Sequence, residues 1–309
     1  MSASCPTPER SSIRGRTSPS TSGAAEPRAV RLGAHVPTRG GLVSAVEYAV
    51  AAGCEAIQLF VSNPRSWAPP AISPDAAREF SERRAAAGLG PVFAHTSYMV
   101  NIASPNPEFL VRSVDLARRE LDAVAAMGAD GLVVHAGAGG PGERRAAVER
   151  AAASILAIAG DGTGPPHVVV ELTAGGAGSV ASALREAAEL IGAVDHHPRV
   201  ALCIDTCHLF AAGYPLDSVS GVARSLSELR EHRLTRRLKL VHANDAKAPR
   251  GSHRDRHEHI GEGFIGDEGF RAILADPAVQ RSAVLIETPG RLDEDLRNLE
   301  RLRRLISET

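Results

Sequence analysis

The chain predicts an α/β protein, a (β/α)8 or TIM barrel, on three observations. From residue 31 onward, short apolar segments alternate with Ala-, Arg- and Glu-rich stretches of helical period. About eight such repeats fill the rest of the chain, which is the number a closed barrel needs. Side chains able to bind metal recur where the apolar segments end, and in a barrel those ends all open on one mouth. An open doubly wound sheet begins from the same βαβ unit. Its dinucleotide-binding form is disfavoured, because no Gly-x-Gly-x-x-Gly follows the first apolar segment.

Taken in order, strands are expected over 31–36, 56–60, 92–96, 131–136, 167–172, 200–206, 238–244 and 283–288. Each is a short apolar run of the kind that parallel strands covered on both faces require. Helices are expected near 41–53, 73–87, 107–127, 142–160, 179–193, 218–231, 267–275 and 291–306. Ser73-Pro74-Asp75 offers an N-cap followed by Pro at the first helical position. Gly53, Gly88 and Gly128 each stand where a helix should stop.

Residues 1–30 differ from the rest. They are rich in Ser, Thr, Pro and Arg and carry no apolar run fit for a signal peptide, so they predict a disordered extension to a barrel domain over 31–309. Across the 309 residues, hydrophobic side chains make up 43%, enough for a sizeable core. No apolar run approaches the length of a membrane span. A net charge of -1 supplies no global attraction to nucleic acid, so a polyanion would need a local patch or metal ions. The four cysteines, Cys5, Cys54, Cys203 and Cys207, lack the density of a disulfide framework. A reducing, cytoplasmic setting and a monomer are the expectations.

Function enters through position. The expected strands end near His35, His95, His135, Glu171, Asp205, His242 and Glu287, with His208 just beyond the sixth and Asn244 and Asp245 beyond the seventh. One histidine at a strand end is commonly a satisfied structural group. Successive strands from the third to the eighth doing the same is different, because ionisable groups gathered in one place are costly unless a positive charge neutralises them. His, Asp and Glu are the ligand set for zinc, manganese or iron, and the scarcity of cysteine favours open, catalytic coordination. Cys203 and Cys207 are expected to pack as small apolar residues.

The densest polar stretch runs from Lys247 to His259. Read plainly it is a solvated charged loop. Asp255-x-His257 nevertheless sets two ligands close together, and His208 can complete a three-residue site. His253 and His259 compete with His257, and spacing does not choose among them. Lys247, Arg250, Arg254 and Arg256 form a cationic rim able to hold phosphates.

With these residues in view, the chain resembles the endonuclease IV family, zinc-dependent apurinic/apyrimidinic endonucleases built on (β/α)8 barrels. The matching segments fall in the family's order: Gly33-Ala-His-Val36, His95-Thr-Ser-Tyr98, Val134-His-Ala-Gly137, Glu171-Leu-Thr-Ala-Gly175 and Cys203-Ile-Asp-Thr-Cys-His208. Val241-His-Ala-Asn-Asp245, Asp255-Arg-His257, Gly261-Glu-Gly263 and Ile286-Glu-Thr288 follow. The resemblance implies three metal ions, zinc with manganese or iron possible at one position. His95, His135 and Glu171 would hold the first, and Glu171 would bridge to a second completed by Asp205, His242 and Glu287. His208, Asp255 and His257 would hold the third. Arg65, Tyr98 and Met99 sit where the family inserts side chains into damaged duplex. Leu172, Ala136 and Pro64 depart from common family residues, which bears on DNA contacts rather than on presumed ligands.

What the resemblance implies is hydrolysis of duplex DNA 5′ to an abasic site, leaving a 3′-hydroxyl and a 5′-deoxyribose phosphate. Bound ions would lower the pKa of water and clamp the phosphodiester, with Glu287 orienting or deprotonating the water and Glu171 engaged as the bridge. An abasic nucleotide lacks a stacked base, so extruding it costs less than flipping an intact one. The chief rival is a xylose-isomerase-like sugar isomerase or epimerase using one or two divalent ions. That chemistry needs neither His95 and His135 nor the set of His208, Asp255 and His257. A non-enzymatic damage-binding protein would be expected to have lost ligands, and none is lost.

Overall fold

The computed structural model describes residues 1–4 and 30–308, so nearly all of the expected disordered extension lies outside the described residues. Eight parallel strands close into a barrel. They are β1 (Arg31–His35), β2 (Ala56–Phe60), β3 (Val92–His95), β4 (Gly131–His135), β5 (His167–Glu171), β6 (Val200–Asp205), β7 (Leu238–His242) and β10 (Ala283–Ile286). Each pairs with the next, and β10 closes the ring against β1, with Leu32 opposite Val284 and Ala34 opposite Ile286. The expected strands are all present, and most end a residue or two earlier than the apolar runs suggest.

The helices form the outer ring: α1 (Leu42–Ala51), α2 (Pro74–Ala86), α3 (Pro107–Ala126), α4 (Arg144–Ala159), α5 (Leu184–Ala193), α7 (Val219–Glu231), α8 (Gly266–Ala275) and α10 (Leu292–Ser307). Local chemistry fixes their ends. The Ser73 side chain accepts from Ala76 N at 3.2 Å, with Pro74 at the first helical position. Gly53, Gly88 and Gly128 follow the ends of α1, α2 and α3 with φ of 69°, 68° and 62°, the left-handed geometry of a helix stop. In α10, Leu299, Leu302 and Leu305 face the core at helical spacing.

Four differences from the sequence reading have physical causes. The helix expected from 179 begins at Leu184, because Ser179 pairs with Ala138 and Thr173 N donates to Ala181 O, which holds 179–183 out of the helix. His208 does not begin a loop: it lies on the short helix α6 (Thr206–Ala211), whose N-cap Asp205 accepts from His208 N at 2.9 Å. The charged stretch after β7 is pinned by a two-residue antiparallel pair, β8 (Asp245–Ala246) with β9 (His257–Glu258). A further turn of helix, α9 (Pro277–Gln280), follows α8.

Side-chain alternation along the strands builds the mouth. Ala56, Phe93, Val133, Val169, Ala201, Cys203, Leu240, Ala283 and Leu285 fill the barrel interior. Two residues further along each strand, the next inward position is polar: Gln58 after Ala56, His95 after Phe93, His135 after Val133, Glu171 after Val169, Asp205 after Cys203, His242 after Leu240 and Glu287 after Leu285. In β1 the same step runs from Gly33 to His35, and Gly33 is compelled. A Cβ there would sit 1.6 Å from the Ala56 carbonyl oxygen of the neighbouring strand. Gly33→Ala should therefore destabilise the barrel by roughly 3 kcal/mol or more, since backbone cannot yield as a side chain can. Urea unfolding checks this, and a variant as stable as the parent would refute the close approach.

Candidate metal centre at the barrel mouth

Glu171, at the end of β5, is fully buried and is the hub of the cluster. Its carboxylate oxygens lie 3.2 Å from His95 Nε2, 3.5 Å from His135 Nε2, 3.2 Å from His208 Nδ1 and 3.3 Å from His242 Nδ1. Burial alone would raise its pKa, but His242, His135 and His208 hold it well below the usual carboxylate range. His242 Nδ1 in turn faces three carboxylates, at 3.3 Å from Glu171, 4.0 Å from Asp205 and 3.6 Å from Glu287. Around the rim, His208 Nε2 lies 3.2 Å from Asp255, and His257 Nε2 lies 3.1 Å from Asp255 and 3.6 Å from Asp205.

These donor atoms converge on common space rather than pairing off. His257 Nε2 is buried and makes no hydrogen bond despite the two oxygens beside it. Ligand atoms of His95, His135 and Glu171 lie within 4.8 Å of one another, as do those of His208, Asp255 and His257, and of Glu171, Asp205 and His208. Such groups can hold metal ions, and the donor set of imidazole and carboxylate suits zinc, manganese or iron. Protonation shows the same demand for positive charge. Although burial opposes it, Asp205 and Asp255 raise His257 to about 9. Burial pushes His135 down to about 4 even beside Glu171.

Backbone carbonyls aim several of the rings. His95 Nδ1–H donates to Thr96 O at 2.8 Å, His208 Nδ1–H to Leu172 O at 2.9 Å and His257 Nδ1–H to Glu287 O at 3.0 Å. Asn244, whose side chain is buried beneath the centre, donates to Asp205 Oδ2 at 2.6 Å and accepts from Glu287 N at 2.7 Å. The two competing loop histidines are occupied elsewhere. His253 Nδ1 bonds the Ala174 carbonyl at 3.0 Å, and His259 Nδ1 meets the Asn298 amide at 3.0 Å.

Cys203 and Cys207 are buried, and burial pushes both thiols up to about 12, so they pack as neutral small residues. Each lies within reach of a cluster, Cys203 near Glu171 and His242 and Cys207 near Asp205 and His257.

Around the mouth, Tyr98 is exposed, with its ring 5.4 Å from that of Phe60 and 6.4 Å from that of His95. Arg65 is exposed and Met99 half-buried. The segments carrying Arg65 and Tyr98 are joined, because Tyr98 N donates to Pro64 O at 2.9 Å. The cationic rim is uneven. Lys247 is paired with Glu258 at 3.4 Å and Arg250 with Asp217 at 3.2 Å. Arg256 donates to the Asp255 carbonyl, and Arg254 is exposed.

Two positions that bear on the centre escape the sequence reading, and a third is read only as a strand-end candidate outside the three ligand sets. That third is His35, whose Nδ1 lies 3.1 Å from Glu287 Oε1. Gln58 touches both Glu287 and His242. Its signal is a lone amide inside an apolar strand, and barrel stagger puts it mid-strand rather than at the end. Glu120, on α3 far from any motif, accepts from Ser62 Oγ at 2.6 Å and Ser97 N at 3.2 Å, and so ties the two loops of Arg65 and Tyr98 to one helix.

Residues 46–306 match a family described as the xylose isomerase-like TIM barrel, which is the class that the closed barrel and its polar mouth define. A D-tagatose 3-epimerase-like protein shares that fold, with a TM-score of 0.69 at 17% identity over 90% of this chain and 98% of the other. Similarity is much higher in one branch. A Streptomyces coelicolor protein named "Probable endonuclease 4" is 40% identical over 278 residues, 89% of this chain and 94% of its own length. The crystal structure of endonuclease IV from Thermus thermophilus superposes with a TM-score of 0.80 at 33% identity, covering 90% of this chain and all of that one. The chain belongs to the endonuclease IV family and is a hydrolytic enzyme, a nuclease. Among the described residues, no helix is long and apolar enough to cross a membrane.

Glu120 supplies a pH test of how the two loops are held. Burial raises its carboxyl to about 7 from an ordinary 4.5. Between those values the folded chain keeps a proton that the unfolded chain has lost, so this group makes stability fall as pH rises through the window and stay level above it. Glu120→Gln should match the parent near pH 5 and exceed it by roughly 2–3 kcal/mol at pH 8. Urea unfolding at several pH values measures the difference, and one that does not grow with pH would exclude burial as the cause.

Proposed function

We propose that this nuclease nicks duplex DNA 5′ to abasic sites, leaving a 3′-hydroxyl and a 5′-deoxyribose phosphate. Its centre would be three divalent ions held by nine side chains. His95, His135 and Glu171 would hold one ion, and Glu171, Asp205, His242 and Glu287 a second. His208, Asp255 and His257 would hold the third, with zinc the first choice of metal and manganese or iron possible at one position. The observation that carries this reading is the convergence on single atoms. His242 Nδ1 faces three carboxylates within 4.0 Å, and the Glu171 carboxylate faces four imidazoles within 3.5 Å. When bound, such ions supply positive charge to a phosphodiester and lower the pKa of water toward neutrality.

The chain's own groups supply the rest. Glu287 Oε1 is taken up by Gln58 and His35, which leaves Oε2 to orient water or accept its proton. Burial raises the Glu287 carboxyl, but His242 and His35 outweigh it and hold the group ionised, able to accept a hydrogen bond from the water it orients. Exposed Tyr98 and Arg65, on loops braced by Glu120, offer a stacking face and a phosphate contact, with Met99 beside them as an apolar wedge. Arg254 and Arg256 offer further phosphate contacts, whereas Lys247 and Arg250 must first leave Glu258 and Asp217. The epimerase alternative explains neither the set of His208, Asp255 and His257 nor the exposed ring of Tyr98.

A duplex carrying one abasic analogue, incubated with and without chelator, tests the whole. Cleavage 5′ to the lesion is expected, abolished by chelator and restored by zinc; intact duplex with metal-replete enzyme would sink the proposal. Elemental analysis should find close to three ions per chain, and a value near one would refute the three-ion centre. Glu287→Gln should fold and bind DNA yet cut at least roughly 100-fold more slowly. Cleavage at the parent rate would remove Glu287 from its role.

A further inference from the structure

Gln58 is fully buried, inward-facing on β2, and belongs to none of the three ligand sets. Its amide nevertheless meets three side chains of the centre. Oε1 accepts from His242 Nε2–H at 2.9 Å, while Nε2 donates to Glu287 Oε1 at 2.5 Å and lies 2.9 Å from His35 Nδ1. The amide has one workable orientation. Exchanging its oxygen and nitrogen would press an oxygen against the ionised Glu287 carboxylate, with no proton between them.

Comparison among the rings shows what this does. His95, His208 and His257 each give Nδ1–H to a backbone carbonyl, which leaves Nε2 bare toward the mouth. His242 is reversed: Nε2–H goes to Gln58, and Nδ1 is left facing Glu171, Asp205 and Glu287. Of these four rings it is the one whose orientation rests on a side chain rather than on main chain. Glu287 is governed by the same amide. Its Oε1 receives Gln58 Nε2–H and lies 3.1 Å from His35 Nδ1, so Oε2, 3.6 Å from His242 Nδ1, is the oxygen turned to the centre.

We propose that Gln58 is the positioning residue of the centre: one amide sets His242 to present Nδ1 and Glu287 to present Oε2. This inference rests on the metal-centre reading of the site. Two variants separate its parts. Gln58→Leu removes both contacts at similar volume, and Gln58→Glu keeps an acceptor for His242 while opposing Glu287 with a second carboxylate.

The experiment uses full-length chain with ¹⁵N-labelled histidine, zinc-loaded and zinc-stripped, and reads His242 by NMR, zinc retention by competition with a chelator, and kcat and KM on abasic duplex. In the wild type, His242 should show a slowly exchanging Nε2–H in both forms. Gln58→Leu should lose that protection, retain zinc about 10- to 100-fold more weakly and lose kcat by a similar factor, with KM unchanged. Gln58→Glu should keep the protected Nε2–H and lose kcat, which a merely structural role would not produce; it also serves if the leucine variant fails to fold. Wild-type exchange, zinc affinity and kcat in Gln58→Leu would overturn the proposal. A wild-type chain that retains no zinc would overturn the metal reading instead, and the exchange of His242 in the stripped chain would then decide the role of Gln58 by itself.

Discussion

Four imidazoles surround the carboxylate of Glu171, and that carboxylate is wholly out of water. An isolated buried carboxylate is too costly to persist, so its place at the end of β5 commits its surroundings. His95, His135, His208 and His242 come from four different elements, each of which must be in register for the charge to be met. The mouth of the barrel is therefore built around one electrostatic requirement. Protons on the rings satisfy it in part, which is why His95 is raised against the pull of burial and Glu171 held low, and cations would satisfy it more completely.

That requirement explains the division of labour along each strand. One inward step of Ala, Val, Leu, Phe or Cys closes the barrel, and the next presents a polar group to the mouth. Outward positions are mostly buried and apolar, as Leu132, Val134, Val168 and Val170 show. A second tier aims the first. Carbonyls of Thr96, Leu172 and Glu287 fix three rings, and the amides of Asn244 and Gln58 fix the carboxylates between them.

Loops beyond the strands are anchored with comparable care. Asp245 is buried and accepts from the backbone N–H groups of Ala246, Gly261, Gly263, Ile265 and Gly266, which folds the returning loop beside the β8–β9 pair. The segment bearing Asp255 and His257 is thereby held from both ends, so that two residues on an otherwise charged, exposed stretch meet His208 on α6. Glu120 performs the matching task on the opposite side of the mouth, for the loops of Arg65 and Tyr98.

The sequence by itself determined the barrel and the outline of its mouth, because both are periodic and local. Apolar runs at strand length, glycines past helix ends and a polar residue closing one strand after another can be read without coordinates. His95, His135, Glu171, Asp205, His242 and Glu287 were legible for that reason. The tertiary structure decided what depends on partners remote in the chain. It put His208 on a capped helix, turned His253 and His259 to Ala174 and Asn298, and neutralised Lys247 and Arg250 with acids. It also gave Gln58 and Glu120 their meaning. Gln58 lies mid-strand and meets His242 184 residues away, and Glu120 meets Ser62 58 residues away. A buried amide or carboxylate takes its role from whatever polar atom the fold brings within about 3 Å, and no local pattern of residues encodes that distance.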